Sequence, residues 1–363
     1  MQILSATEAI SPAIARTRLV LFKPFLLGRS WKLSAAAYVS TAGSFFFPFP
    51  LLFIFMLPAA FRDGPKWMPL AIASGTALFL ALTTFLFVLC SRLQFPVMDT
   101  VMNRSVFIAP LWRHYGPQAR RWGHAKMLIG TIATVVMAIP FGVLFWTFMP
   151  GIGRHPVALG HQQFPVHFAA FFLSILLIYA GLALVVLFMS LLNDFMLPML
   201  ALEDAAVLAV WEQVMRLVRA EPGQVALYAL LKVVLGFIAQ IVGIIAIEIV
   251  FFILMMVFGL LGTLLSTVLH AAGLPNVILS VLGVIVFGAL YIGFFYATMF
   301  SYGIPIVFLE AYKLYFLGGR YPPLGDLLDA STPPPQTYIP PPNYLAYTVP
   351  SQPAAPPPTN NLP

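Results

Sequence analysis

Two pairs of polar side chains lie beside prolines at the ends of apolar segments. Asp99 and Asn103 are one helical turn apart, on one face of a predicted helix. Asn193 and Asp194 occupy the matching end of a later apolar segment. Carboxylate and amide oxygens can bind a cation or a lipid headgroup. Because Asp and Asn also favour helix ends, where they cap exposed backbone, we expect capping and hydrogen bonding between repeats.

Gln240 and Glu248 lie within the longest apolar stretch, from Gln224 to Gly262. An ionisable side chain at the bilayer centre costs about 2.5–3.5 kcal/mol, so Glu248 at mid-depth favours a proton- or cation-coupled pathway. As one helix this stretch is roughly 58 Å long, nearly twice the hydrocarbon thickness. The stretch must therefore tilt, break or lie flat. Gly243 permits a break, which would put Glu248 near the outer interface as a solvated anchor. Lys232 is close enough to the start of the stretch to snorkel to the cytoplasmic interface.

Histidines are the remaining candidates for metal chemistry. The predicted outer segments contain His155, His161, His167 and His270. Their spacing matches no known ligand set, and Cys90 is the only cysteine. The chain also contains no HExxH motif, no phosphate-binding glycine loop and no nucleophile elbow. We expect no metal, no cofactor and no catalytic residue.

The elements that position these residues are transmembrane helices. Of the 363 residues 61% are hydrophobic and 9% charged, far below the roughly 25% charged residues of soluble domains. The fold class predicted is all-α integral membrane, with six transmembrane helices arranged as three hairpins. The predicted spans are Lys32–Ala60, Met68–Cys90, Met127–Met149, Val166–Leu192, Val225–Ile249 and Val277–Phe300.

The distribution of basic residues predicts the orientation. Most arginines and lysines fall on one side of the predicted spans, whereas Arg62, Lys66 and Arg154 fall on the other. The positive-inside rule then places both termini in the cytoplasm, in a bacterial inner membrane. The basic residues behind the net charge of +7 flank the apolar segments, where lipid headgroups are expected. They form no basic-aromatic module of the kind that binds nucleic acid. We expect membrane lipids as partners and no nucleic acid.

The sequence contains a three-fold direct repeat. The second, fourth and sixth spans each end in a polar cluster followed by a proline, namely Pro96, Pro198 and Pro305. An amphipathic stretch with a tryptophan follows two of them: Val101 through Trp112, and Val207 through Val218. Each repeat thus reads as an interfacial helix, a span out and a span back. Prolines also occur wherever helices end, which is the alternative explanation.

The predicted domain boundaries follow from the repeats. Residues 1–12 form an N-terminal tail and residues 13–320 the membrane domain. The repeats cover about 13–98, 99–200 and 201–307, and a last interfacial helix covers Ile306–Leu317. Residues 321–363 form a cytoplasmic tail, which is rich in proline and disordered.

Four stretches resemble a known group of proteins: Arg18–Ala35, Phe95–Tyr115, Asn193–Gly236 and Glu310–Leu317. They look like a largely uncharacterised group of bacterial integral membrane proteins. That group is similar to the membrane domain fused to some glycerophosphodiester phosphodiesterases. The resemblance implies a six-helix membrane domain with no established activity, and the phosphodiesterase domain itself is absent from this chain.

Three functions remain open. The first is a non-catalytic accessory, scaffold or lipid-organising module, which binds a cytoplasmic protein through its interfacial helices or its tail. The second is a transporter or channel that uses Glu248 and Gln240. The third is a membrane enzyme acting on lipids, for which Asp99, Asp194 and the outer histidines are the candidate residues. A water-filled cavity at mid-depth favours transport, and a solid apolar bundle favours the scaffold.

Overall fold

A computed structural model of the protein describes residues 2–23, 27–57, 60–61, 64–104, 108–148, 164–271, 273 and 276–330. The regular elements in this part of the chain are helices. In chain order they are α1 (Ile10–Phe22), α2 (Leu27–Thr41), a short 3-10 helix (Phe49–Met56), α3 (Met68–Asn103), α4 (Ile108–His114), α5 (Gly116–Phe148), α6 (Phe164–Glu203), α7 (Val207–Ala220), α8 (Pro222–Ala271), α9 (Asn276–Gly318) and α10 (Pro322–Ala330). Within the described residues, five helices (α3, α5, α6, α8 and α9) are long and apolar enough to cross a membrane.

The long helices have an exposed apolar half. Large hydrophobic side chains are exposed over residues 70–89 of α3, 128–143 of α5, 172–188 of α6, 230–268 of α8 and 281–296 of α9. We call this surface the apolar band. Hydrocarbon is the solvent that covers so large an apolar surface without cost. The protein is therefore a multi-pass membrane protein.

In α3, α6 and α9 the C-terminal part belongs to a packed layer, which we call the base. It consists of residues 95–102 of α3, 189–200 of α6 and 305–317 of α9, most of them buried. Apolar side chains of α1, α2, α7 and α10 complete the same core. The base contains the repeated prolines, each inside a continuous helix.

Two glycines allow backbones to touch in the base. A Cβ on Gly303 of α9 would lie 2.0 Å from the carbonyl oxygen of Ser34 on α2. A Cβ on Gly43 would lie 2.1 Å from the backbone nitrogen of Ser91 on α3. Backbone atoms cannot rotate away as side chains do, so both crossings require glycine.

The first predicted span, Lys32–Ala60, is not one continuous helix. Helix α2 ends at Thr41, residues 45–48 have no regular structure, and Phe49–Met56 is a 3-10 helix. Pro48 and Pro50 lack the backbone N–H groups that an α-helix needs at these positions. The segment is apolar enough and long enough for a span, but its backbone does not form the continuous hydrogen bonds of an α-helix.

Of the paths considered for the long apolar stretch, a break at Gly243 does not occur. Helix α8 runs without interruption from Pro222 to Ala271. A glycine inside a helix costs only about 1 kcal/mol, which packing outweighs here. The space at Gly243 is used for contact, because a Cβ there would lie 3.6 Å from the carbonyl oxygen of Ser301 on α9.

The separate terminal helix predicted at Ile306–Leu317 was also wrong. This segment belongs to the continuous helix α9, and it is among the most buried parts of the chain. The proline before it removes one backbone donor without ending the helix. In contrast, the helix predicted over Val207–Val218 is confirmed as α7, with Val210 and Val214 of its apolar stripe buried.

Both ends of the membrane domain differ from the predicted boundaries. In the region assigned to an N-terminal tail, Ala6 and Ala9 are buried and α1 begins at Ile10. In the region assigned to the C-terminal tail, α10 forms and buries Leu324 and Leu328 in the base. The rest of the proline-rich tail, residues 331–363, lies outside the described residues.

Candidate functional site

Asp99 lies buried at the end of α3 and accepts hydrogen bonds from neighbouring side chains. The Asn103 amide nitrogen donates to its Oδ1 at 2.8 Å, and the Tyr115 hydroxyl donates to the same oxygen at 2.9 Å. Burial raises the pKa of Tyr115, and the Asp99 charge and the hydrogen bond to it raise that pKa further. The structure thus brings together the predicted pair and adds a tyrosine that sequence reasoning missed.

The last turn of α3 is capped by arginines from other helices. Arg16 of α1 donates from Nε to the carbonyl oxygen of Val101 at 2.9 Å, and from Nη2 to that of Met102. Arg29 of α2 donates to the carbonyl oxygen of Arg104 at 3.2 Å. These carbonyls have no partner within the helix. Burial lowers the pKa of both Arg16 and Arg29. Both arginines therefore bind the backbone of α3, whereas the sequence predicts basic residues next to lipid headgroups.

Asp194 is the centre of a second polar cluster, between α6 and α8. Its Oδ2 pairs with the ammonium group of Lys232 and accepts a hydrogen bond from the Tyr228 hydroxyl at 2.9 Å. Lys232 also donates to the Ser190 hydroxyl at 2.7 Å. The lysine therefore has fixed partners in the protein, instead of the free snorkelling position that its sequence suggested.

Asn193, beside Asp194, binds the preceding hairpin helix. Its Oδ1 accepts a hydrogen bond from the indole nitrogen of Trp122 at 3.1 Å. Trp122 is among the largest fully buried side chains, so this bond satisfies a donor that has no access to water. Trp122 belongs to the same buried core as the base.

Lys126 is fully buried among neutral acceptors. Its ammonium group donates to the Gly43 carbonyl oxygen at 2.6 Å and to the Gln94 Oε1 at 2.8 Å. It also lies over the rings of Phe87 and Trp122, at 5.6 and 5.7 Å from their centres. No carboxylate of the described residues pairs with it. A buried cation of this kind was not foreseen, because the sequence places Lys126 among the surface charges before a span.

A further buried pair lies on α9. Lys313 is fully buried and pairs with Glu310, one turn earlier on the same helix. The Tyr312 hydroxyl between them donates to the Ala6 carbonyl oxygen at 2.9 Å. Neither charged residue was a candidate from sequence, since both follow the last predicted span and resemble solvated flanking charges.

Gln240 and Glu248 are not part of these clusters. Gln240 is half-buried on α8, and Glu248 is exposed two turns further along the same helix. Glu248 makes no hydrogen bond or ion pair with any residue that the structure describes. Because α8 does not break, the reason for placing Glu248 at the outer interface is removed, and it lies within the apolar band.

The histidine prediction falls largely outside the described part of the chain. His155 and His161 lie outside the described residues, as does the side chain of His167. Among the residues that are described, no group of three His, Cys, Asp or Glu side chains is close enough to hold a metal ion.

Comparison with known proteins shows the family. The model of a family of unknown function, DUF7544, matches residues 4–327. The chain belongs to this family. No curated protein and no solved structure matches it.

In this DUF7544 member, the match covers the apolar band and the base together. The uncharacterised family agrees with the resemblance that the sequence suggested, and nothing in the comparison bears on phosphodiesterases. The candidate side chains Asp99, Asn193 and Asp194 are hydrogen-bonded to other side chains of the protein. Such bonds join helices.

Proposed function

We propose that the protein is a non-catalytic membrane module, which acts as an accessory, scaffold or lipid-organising protein. The observation that carries this proposal is the inward bonding of the candidate polar groups. Asp99 binds Tyr115, Asp194 binds Lys232 and Tyr228, and Asn193 binds Trp122. A catalytic carboxylate needs a face open to substrate. These carboxylates hold helices together instead.

A transporter or channel is the second candidate, and Glu248 favours it. An exposed carboxyl group within an apolar band is costly, which makes it a functional candidate. Against it, Gln240 and Glu248 share no cluster with other ionisable groups of the described residues. Two open grooves among the described residues lie elsewhere: one is lined by residues of α9 from Ser280 to Tyr291, and the other surrounds Gly64 and Lys66.

A flux measurement distinguishes the two candidates. Purified protein is reconstituted into vesicles that enclose a pH-sensitive dye, and proton entry is followed under an imposed membrane potential. We expect the same rate with wild-type protein, with the Glu248→Gln variant and without protein. Proton entry that requires wild-type protein and is lost in Glu248→Gln would overturn the scaffold proposal in favour of transport.

A membrane enzyme acting on lipids is the third candidate and has the least support. Asp99 and Asp194 are buried and hydrogen-bonded, and the outer histidines lie largely outside the described residues. Incubation of the reconstituted protein with radiolabelled phospholipids is expected to leave them unchanged. The similarity to the membrane domain of glycerophosphodiester phosphodiesterases remains a proposal from sequence, and it concerns a domain without the catalytic residues.

Six crossings are supported by contacts between the two ends of the domain. Arg320, after α9, donates to the Leu4 carbonyl oxygen at 2.9 Å, and Tyr312 binds that of Ala6. Residues 4–6 and the end of α9 are thus on the same side, which requires an even number of crossings. Five long helices supply five, and α2 together with residues 42–67 supplies the sixth.

The three-fold repeat is supported by two corresponding lysine contacts. Lys126 on the outgoing helix α5 binds Gln94, just before Pro96 of α3. Lys232 on the outgoing helix α8 binds Asp194, just before Pro198 of α6. In each case an outgoing helix binds the returning helix of the preceding hairpin, close to its proline. At the third proline, Gly303 of α9 lies against Ser34 of α2. Helix α2 thus contacts α9 as α5 contacts α3 and α8 contacts α6.

We further propose that the protein lies in the cytoplasmic membrane of a bacterium, with both ends of the chain inside. The excess of basic residues on the side of the base supports this orientation. With this orientation we propose that the proline-rich residues 331–363 bind a cytoplasmic protein partner. Cross-linking in native membranes, with and without these residues, tests that role.

A further inference from the structure

Arg92 lies at the boundary between the apolar band and the base. On α3 the exposed hydrophobic residues end at Leu89, and Cys90 and Ser91 are buried. On the neighbouring helix α5, the band begins at Leu128, beyond the buried Lys126. A half-buried guanidinium group at this boundary lies at the depth of lipid headgroups, given the membrane module proposed above.

The position of the Arg92 guanidinium is fixed by two neighbours. Its central carbon lies 5.0 Å from the centre of the Trp112 ring, in a cation–π contact. Gly116 is also close to it, because a Cβ there would lie 2.8 Å from Nη2 of Arg92. The bend between α4 and α5 therefore holds the guanidinium group in a slot, which any larger residue at 116 would narrow.

This guanidinium group has no oxygen partner among the described residues. Its Nε atom is buried and makes no hydrogen bond, and no carboxylate pairs with the side chain. Other arginines of the base differ in this respect: Arg16 binds backbone carbonyls, Arg121 binds Asp204 and Arg320 binds Glu221. An arginine that is held in place without a hydrogen-bond acceptor in the protein is preorganised to bind an acceptor on a ligand.

The surroundings favour an anionic acceptor. The exposed Arg113 and Arg120 flank the slot in sequence, and no Asp or Glu occurs from Thr100 to Asn193. The guanidinium fork matches the oxygens of a phosphate group, which it binds through two parallel hydrogen bonds. In the first turn of α5, the Oε1 of Gln118 is also buried without a partner, and it suits a headgroup that carries hydroxyl groups.

We propose that the slot formed by Arg92, Trp112 and Gly116 binds the phosphate of an anionic phospholipid. A lipid is favoured over free phosphate because exposed side chains on the same helix provide an apolar surface for its acyl chains: Leu89, about one turn away, and Leu86, about two turns away. This inference rests on the proposed membrane module and specifies the lipid chemistry that it recognises.

Fluorescence quenching by brominated lipids tests the proposal. The full-length protein is reconstituted into phosphatidylcholine vesicles that contain brominated phosphatidylglycerol or, at equal mole fraction, brominated phosphatidylcholine. The Trp112 signal is the difference between wild type and a Trp112→Phe variant. We expect stronger quenching by phosphatidylglycerol in wild type and an affinity about tenfold lower in Arg92→Gln. Equal quenching by both lipids in wild type would overturn the proposal.

Matched variants separate a specific site from general attraction to charge. Arg219→Gln removes an exposed arginine on α7 and is expected to leave the lipid preference unchanged. Gly116→Ala keeps every charge but narrows the slot, and it is expected to weaken the preference. If Arg219→Gln lowers the preference as much as Arg92→Gln, no specific slot exists. Thermal unfolding of each variant shows whether it is folded, and Gly116→Ala provides the test if Arg92→Gln is not.

Inorganic phosphate in the buffer distinguishes the source of the phosphate group. We expect it to leave the preference for phosphatidylglycerol unchanged, and competition by it would overturn the lipid assignment. The proton-entry measurement is independent of this experiment. Proton entry through the protein together with a loss of preference in Arg92→Gln would refute the scaffold function while leaving the lipid site in place.

Discussion

Lys232 on α8 forms an ion pair with Asp194 on α6, and Tyr228 donates a hydrogen bond to the same carboxylate oxygen. The lysine is thus neutralised inside the protein, close to the proline of the returning helix. A charge that is costly in hydrocarbon here joins the helices α6 and α8. The pair explains how α8, which has few buried residues along its length, is held to the base.

Breaking this pair is expected to destabilise the protein. Asp194→Asn leaves the Lys232 ammonium group buried without a counter-charge, and Lys232→Met does the same to the carboxylate. Removal of one partner of a buried pair costs about 3 kcal/mol or more. The double variant is expected to regain part of the loss. Thermal unfolding in detergent, followed by circular dichroism, measures all three proteins.

The exposed pair between Arg121 and Asp204 provides the control. Both side chains are about half exposed, at 48% and 62%. Surface pairs contribute roughly 0–1 kcal/mol, so Arg121→Gln is expected to change the unfolding temperature little. An Asp194→Asn variant as stable as Arg121→Gln would contradict the structural role given to Asp194.

The helix crossing at Gly303 is expected not to tolerate a methyl group. Gly303→Ala places a Cβ 2.0 Å from the Ser34 carbonyl oxygen, so α2 and α9 must move apart. Overpacking of this kind costs about 1–3 kcal/mol. Gly283→Ala on the same helix is the matched control, because its Cβ meets nothing within 4 Å. Equal unfolding temperatures for the two variants would show that the crossing is not this close.

The Tyr115–Asp99 contact is expected to make stability sensitive to alkaline pH. The pKa of Tyr115 is raised above its ordinary value near 10, mainly by burial. The unfolded chain then loses this proton at lower pH than the folded protein does. The stability that Tyr115 contributes is complete below pH 10 and is lost as pH rises toward the folded pKa.

Comparison with Tyr115→Phe isolates this effect. At neutral pH the variant is expected to be about 1 kcal/mol less stable, because the hydrogen bond to Asp99 is lost. Between pH 9 and pH 11 its stability is expected to fall less steeply than that of wild type, since one titrating group is absent. Parallel stability curves in this range would show that Tyr115 titrates alike in both states.

Single cysteines test the six crossings and the orientation. In a Cys90→Ala background, exposed residues are replaced one at a time: Glu8→Cys, Lys66→Cys and Asp326→Cys. A maleimide reagent that cannot cross membranes is expected to label position 66 in intact spheroplasts. Positions 8 and 326 are expected to react only after the membrane is opened. Labelling of positions 8 and 326 on opposite sides would contradict an even number of crossings.

Composition and helical periodicity were sufficient to predict the helical membrane class and helix α7. Both depend on local pattern: apolar length for the spans, and a stripe that buries Val210 and Val214 for α7. The same criteria failed at residues 42–56, because apolar length says nothing about backbone hydrogen bonds beside Pro48 and Pro50. They also failed at Gly243, where contact with α9 outweighs a weak local preference.

The polar core was predicted only in part. Asp99, Asn193 and Asp194 were found because they lie beside repeated prolines. Lys126 and Lys313 were missed because a charge near the end of an apolar segment looks the same whether it faces water or a neighbouring helix. The partners of Lys126 are a backbone carbonyl from residue 43 and the amide of Gln94, and such long-range pairing leaves no mark on the local sequence.

The contact of Arg320 with Leu4 joins residues separated by 316 positions in the chain. During synthesis the segment around Leu4 leaves the ribosome long before its partner Arg320 is made. Earlier hairpins can insert one after another, but the last helix has to arrive before the layer around the first residues is complete. The contacts of the first residues therefore form last. A nascent chain that stops before Gly318 lacks Arg320 and leaves the Leu4 carbonyl oxygen without this partner.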